Sequence, residues 1–183
     1  MKIIDLSPGQ PDLIEQAARQ LVDGFRQHWP NAWPDMESAR QEVHEALEAG
    51  KIARAALDDE GRLLGWVGAM PEYDGQAWEL HPLVVDPAFQ GQGIGQALVA
   101  DLENQVKTCG GATIFLGTDD EDNMTSLSGV DLYPNVWEHI AHIRNLKGHP
   151  YEFYQKQGYA IVGVIPDANG AGKPDIIMSK RVD

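Results

Sequence analysis

Glu79 and His81 stand two apart in the apolar run Trp78-Glu79-Leu80-His81-Pro82-Leu83-Val84-Val85. Strand alternation places both on one face, and either can take a proton from an ammonium group, directly or through water. Pro82 cannot donate to a sheet ladder, so the strand must bulge or splay there. The Leu83 N–H, freed near such a break, is a candidate to stabilise an oxyanion. Asp86-Pro87 then ends the strand, and Gln90-Gly91-Gln92-Gly93-Ile94-Gly95 opens an amphipathic helix running from Gln96 to about Val106. Unpaired N–H groups and partial positive charge at a helix N-terminus suit a pyrophosphate. Glycines let the anion reach the backbone. The competing readings are an exposed acid–histidine pair at a sheet end and an ordinary glycine-rich turn.

Two phosphate-binding patterns fail on spacing. A nucleotide-hydrolase loop needs Lys-Ser or Lys-Thr after its last glycine, where Gln96-Ala97 stands. The dinucleotide fingerprint needs glycine at 96. The pattern Gln90-x-x-Gly93-x-Gly95 instead is similar to the coenzyme A-binding loop of the GNAT superfamily of N-acetyltransferases. That likeness implies that residues Gln90, Gly91, Gln92, Gly93, Ile94, Gly95 and Gln96 hold the cofactor. Leu83, Val84 and Val85 of a splayed strand would pair with its extended arm.

Acetyl transfer to an amine requires removal of the ammonium proton, stabilisation of an oxyanion and, for the departing thiolate, a proton. Glu79 and His81 suit the first task, Leu83 the second. Tyr154, near the start of a short helix, suits the third. Tyr151, Tyr154 and Gly158 share one helix face, so a core tyrosine is the alternative. Asp119-Asp120-Glu121-Asp122 follows the strand Thr113 to Gly117, and ligands of open α/β sheets gather beyond strand C-termini. These acids either hold a cationic amine, Asp119 and Asp120 foremost, or form a solvated charge run. Trp29, in the loop His28-Trp29-Pro30-Asn31-Ala32-Trp33-Pro34, lines a pocket or packs on the core.

The elements that must position these groups are legible from periodicity. Ser7 caps a first helix, with Pro8 at its first position and Gln10 closing a capping box. Leu13, Ile14, Ala17, Leu21, Val22 and Phe25 follow at helical spacing. A second helix is expected from Met36 to Ala49, stopped by Gly50. Strands are expected at Ile52 to Leu57, Arg62 to Met70, Trp78 to Val85, Thr113 to Gly117, Tyr159 to Ile165 and Ile176 to Arg181. Helical periodicity recurs over roughly Val136 to Leu146, and a short helix precedes Gly158. One mixed, mostly antiparallel α/β sheet flanked by helices accommodates this order.

Composition narrows the partners. The chain has 183 residues and 43% hydrophobic content, enough for one domain over residues 1–183. Net charge is −14, which argues against nucleic acid or an anionic membrane as partner. No apolar run is long enough to span a bilayer and no signal peptide is evident, so a cytoplasmic location is expected. Cys109 is the only cysteine, and the six histidines show no paired ligand spacing beyond His139-x-x-His142, so no metal is expected.

Further blocks sharpen the resemblance: Leu116-Gly117-Thr118-Asp119-Asp120, His149-Pro150-Tyr151-Glu152-Phe153-Tyr154, Gly158-Tyr159, Ile161-Val162-Gly163-Val164, Asn169-Gly170 and Lys173-Pro174-Asp175-Ile176. With the Trp78 to Val85 strand, they resemble the chromosomal, enterococcal type of aminoglycoside 6'-N-acetyltransferase from about residue 50 onward. The resemblance implies an acetyltransferase fold splayed at the cofactor site, acetyl-CoA as donor, no metal, and a homodimer. It implies roles for Glu79 at the acceptor amine, His81 beside it, the Leu83 backbone at the thioester carbonyl and Tyr154 as acid. Another cationic amine, such as a polyamine or peptide lysine, remains open as acceptor, as does a non-catalytic acetyl-CoA-binding module.

Overall fold

The computed structural model describes residues 1–182. The chain divides within one strand into two units, residues 1–114 with 182, and 115–181.

The first unit holds β1 (Lys2–Asp5), α1 (Pro11–Phe25), α2 (Met36–Ala46), β2 (Ile52–Leu57), β3 (Leu63–Glu72), β4 (Ala77–Val85) and α3 (Ile94–Thr108). Strands β1 to β4 lie in sequence order and pair antiparallel. Alternation along β2 separates two layers. Ala53, Ala55 and Leu57 face Ile14, Ala17, Ala18 and Leu21 of α1 and Ala39 and Val43 of α2. From the other side of the strand, Arg54 bonds Asp101 of α3. The α3 residues Ile94, Leu98, Leu102 and Val106 recur at four-residue spacing and are buried, which is why this stretch is a helix with one packed face. Trp66 of β3 is fully buried and donates its indole N–H to the Ala17 carbonyl at 3.3 Å.

The helix α1 begins three residues later than the capping box suggests. Gln10 still accepts from the Ser7 N–H at 2.8 Å, but Ser7 to Gln10 closes a separate turn. A start at Pro8 would place Pro11 where its ring meets the carbonyl of the preceding turn; a start at Pro11 uses proline at the first position, where no N–H is needed. Helix α2 is capped by Asp35, whose carboxylate accepts from the Glu37 and Ser38 amides. It stops at Ala46, ahead of the expected Ala49. Strand β1 is an element that the periodicity reading did not anticipate, because four residues show too little pattern.

Arg54 joins three elements. Its Nε and Nη2 reach the two oxygens of Asp101 at 2.6 and 3.3 Å, and its Nη1 meets Asp5 of β1. Arg54→Met should cost about 2 kcal/mol, less than the full loss of a buried pair because Asp5 is well exposed. A denaturant midpoint equal to that of the native chain would remove this role.

The second unit holds most of β5 (Thr113–Asp119), with α4 (Val136–Ala141), α5 (Tyr151–Lys156), β6 (Ala160–Ile165) and β7 (Asp175–Arg181). Here β7 lies between β5 and β6, and β6 and β7 form an antiparallel pair. Gly117 admits the neighbouring strand: a Cβ there would stand 2.5 Å from the Asp175 carboxylate. Among the described residues no helix is long and apolar enough to cross a membrane.

Candidate active site

The break expected at Pro82 is present and has a second cause in β3. Val67 pairs with Leu83 and Ala69 with Leu80, so Gly68 alone opposes His81 and Pro82. This is a β-bulge. A Cβ at Gly68 would stand 2.5 Å from the His81 carbonyl oxygen, so only glycine lets the bulged backbone come this close. The extra residue inverts the alternation of β4. Trp78 packs beside Val106 and Gly111 at the α3 side, whereas Val84, an even number of residues away, meets Gly24 of α1. Glu79 is half-buried and His81 exposed, on the face away from Trp78 and Leu80.

His81 meets a small polar–aromatic group. Its Nε2 lies 3.6 Å from Glu42 Oε1 of α2, and its ring centroid 5.8 Å from that of Trp33. The Trp33 indole N–H donates to Glu42 Oε2 at 3.4 Å, and the ring packs edge-on against Phe25 at 4.6 Å. Trp29, the tryptophan singled out from the sequence, is half-buried against Phe25 and His28. The ring that reaches His81 is Trp33. Glu42 carried no sequence signal beyond a polar position beside the inward Val43.

The strand β4 delivers the chain into the glycine loop. Asp86 caps the first turn by accepting from the Ala88 amide at 2.9 Å, and Arg62 ties down its other oxygen at 2.8 Å. Gln90 donates its side-chain amide to the Val85 carbonyl at 3.2 Å. Gly91 and Gly93 adopt φ +74° and +81°, and Gly93 is the N-cap of α3, which starts at Ile94 rather than Gln96. A Cβ on either glycine would meet nothing within 4 Å, so the space above the loop is open. The first amides of α3 thus lie at an uncovered helix N-terminus, which suits an anion.

In the second unit one member of the acidic run, Asp120, departs from the expected amine site. Asp120 is fully buried, and its two oxygens accept from the Met124 and Thr125 amides, each at 2.7 Å. Its carboxylate closes a turn and cannot reach a solvent-borne amine, which corrects its assignment as a substrate-binding residue. Asp119 accepts from the Asn169 amide. Glu121 pairs with Lys173 and Asp122 with Lys147. The backbone of the same turn holds His149, which accepts from the Tyr151 N–H at Nδ1 and therefore donates from Nε2 to the Asp119 carbonyl at 3.0 Å. His149 so anchors the start of α5, the helix of Tyr154.

Tyr154 is buried between Phe153 and Tyr159, with ring centroids 5.0 and 5.7 Å away. Burial raises its pKa, so the phenol keeps its proton and is a donor, not a base. Among the described residues no group of three His, Cys, Asp or Glu side chains is placed to hold a metal ion.

Comparison with known proteins places this geometry. No curated protein matches the chain significantly. A crystal structure of an aminoglycoside 6'-N-acetyltransferase complexed with coenzyme A is 45% identical, with a TM-score of 0.91, covering 100% of this chain and 98% of its own. The aminoglycoside 6'-N-acetyltransferase from Enterococcus faecium is likewise 45% identical over the same shares, with a TM-score of 0.88. An aminoglycoside 6'-acetyltransferase type Ii is 39% identical, again over 100% and 98%, with a TM-score of 0.75. The fold class is the expected one, a seven-stranded mixed α/β acetyltransferase fold flanked by helices. The model of the Acetyltransferase (GNAT) family matches residues 17–133, a stretch that contains the bulged strand, the glycine loop and the helix it opens. The chain belongs to that family.

Proposed function

We propose that this chain transfers the acetyl group of acetyl-CoA to the 6'-amine of an aminoglycoside, with its two units working as one acetyltransferase domain. The observation that carries the reading is the passage from β4 to α3. A bulged strand bearing Glu79 and His81 runs directly into an open, glycine-capped helix N-terminus. The likeness at 45% identity to aminoglycoside 6'-N-acetyltransferases supports the choice of acceptor.

In this reading Glu79 takes the proton of the acceptor ammonium, with His81 beside it. The amine nitrogen then attacks the thioester carbonyl, whose developing oxyanion is met by the Leu83 N–H. The C–S bond breaks and Tyr154 protonates the departing sulfur, while the second proton, lost from the nitrogen as the amide forms, passes through solvent to restore the phenol. Leu83, Val84 and Val85 edge the pantetheine arm, and residues Gln90 to Gln96 hold the pyrophosphate. Asp119 stays with the acceptor as a half-buried acid, and Trp29 as part of the wall of the acceptor site. The enzyme works as a homodimer in the cytoplasm. Exposed Trp137, Val162 and Ile165, the last two on β6, supply apolar surface for a second copy.

Thiol release with acetyl-CoA over kanamycin- and gentamicin-type acceptors, polyamines and lysine peptides tests the reading. The expected result is turnover on aminoglycosides bearing a 6'-amine, with the acetyl group at that nitrogen by mass spectrometry. No turnover above the acceptor-free rate would overturn it, and tight coenzyme A binding without any acetylation would favour a binding module. For the loop, Gly93→Ala should cost about 1 kcal/mol of stability through its positive φ. It should also raise the Kd for coenzyme A about tenfold by calorimetry, leaving the acceptor KM similar. An unaltered coenzyme A affinity would take Gly93 out of the cofactor site.

A further inference from the structure

We infer that Glu42 is a positioning residue for His81, holding the imidazole in its Nε2–H form through a carboxylate that Trp33 keeps in place. The inference rests on His81 serving the acceptor as proposed above.

The carboxylate has two oxygens with two different tasks. Oε2 accepts from the Trp33 indole N–H at 3.4 Å, and Trp33 is itself anchored, 9% exposed and packed edge-on against Phe25. An indole nitrogen only donates, so this contact engages one carboxylate oxygen and leaves the other for His81. Oε1 then points to His81 Nε2 at 3.6 Å, just beyond hydrogen-bond length. At that separation the negative charge of the carboxylate favours a proton on the ring nitrogen that faces it. The imidazole packs tilted against the same tryptophan, with centroids 5.8 Å and planes 41° apart, which narrows the orientations open to the ring.

Burial is graded along the pair. The Glu42 side chain is 20% exposed and that of His81 45%. The acid backs the ring from the interior, and the ring faces the open side of β4, which it shares with Glu79. A neutral imidazole carries one N–H. A carboxylate at Nε2 keeps the proton there and leaves Nδ1 as the basic nitrogen, the logic by which a buried acid orients a histidine base. A plain surface ion pair would need neither the buried indole nor the ring packing. Glu42 touches no reacting atom in this account; it acts through His81.

The test uses the full chain with Glu42→Gln and His81→Ala, singly and combined. In Glu42→Gln the side-chain oxygen stays with Trp33 and the amide turns its N–H toward Nε2, which favours the opposite tautomer. Nitrogen-15 NMR of the His81 ring is expected to show the Nε2–H form in the native chain and a shift toward Nδ1–H in the variant. The acetylation kcat should fall about tenfold with the KM for acetyl-CoA unchanged. On the His81→Ala background the substitution should cost nothing further. The same tautomer in both proteins would overturn the inference, as would a Glu42→Gln loss that persists without His81. A native chain that acetylates no amine of the panel would sink the functional reading instead, while the ring spectrum still decides whether Glu42 holds His81.

Discussion

Gly68→Val is expected to lower stability by about 3 kcal/mol or more and to take acetyl transfer with it. The side chain would have to enter a space in which its first carbon already stands 2.5 Å from the His81 carbonyl oxygen. That oxygen belongs to backbone, so no rotamer change relieves the clash; β3 and β4 must separate or the bulge must be lost. Losing the bulge would restore regular alternation across Pro82. That is incompatible with Trp78 against α3 and Val84 against α1 at once. For a chain of this length about 3 kcal/mol corresponds to roughly 6–12 °C in Tm. Gly163→Ala is the matched control, because a Cβ there meets nothing within 4 Å, and it should change stability by no more than about 0.5 kcal/mol. Calorimetric scans of both variants decide the matter. A Gly68→Val melt at the native temperature would mean that the close approach does not hold the strand.

Removing one oxygen at Tyr154 should cost about 10²-fold in kcat, with coenzyme A affinity and Tm close to native. Phenylalanine fills the same space between Phe153 and Tyr159, so only the proton donor is lost. An unchanged rate would leave Tyr154 as a core residue and nothing more. The pH dependence has a definite sign. Burial raises the phenol above its ordinary value of 10.0. Ionisation of Tyr154 therefore places no alkaline limb on activity below that pH. In the unfolded chain the phenol ionises first, so stability is unaffected by this group at lower pH and falls as pH rises above about 10. Tyr154→Phe should flatten that alkaline loss. Chemical denaturation between pH 9 and 11 measures it.

Much of the strand order and the donor loop was legible without coordinates, because those features are set by neighbours in sequence. Ile52 to Leu57 was bounded correctly at both ends by the residues around it. Helix ends were less legible. Both Pro8 and Pro11 are suited to a first helical position, and only the turn closed by Ser7 and Gln10 selects the second. The acidic run looked alike at all four positions. Its members differ in burial, and burial belongs to the folded chain: Asp120 is swallowed by two backbone amides, while Glu121 and Asp122 meet lysines far along the sequence.

By itself the sequence determined where the backbone must do something unusual. Proline removes a ladder donor at 82, and glycines permit positive φ at 91 and 93. These constraints act within a residue or two, so they survive in any readout of the chain. Tertiary structure decided which side chains those irregularities bring together. Gly68 matters because β3 is the partner of the bulge, and Glu42 because α2 carries it to an imidazole thirty-nine positions away. Such pairings depend on the packing of whole elements, and no local pattern of residue types records them.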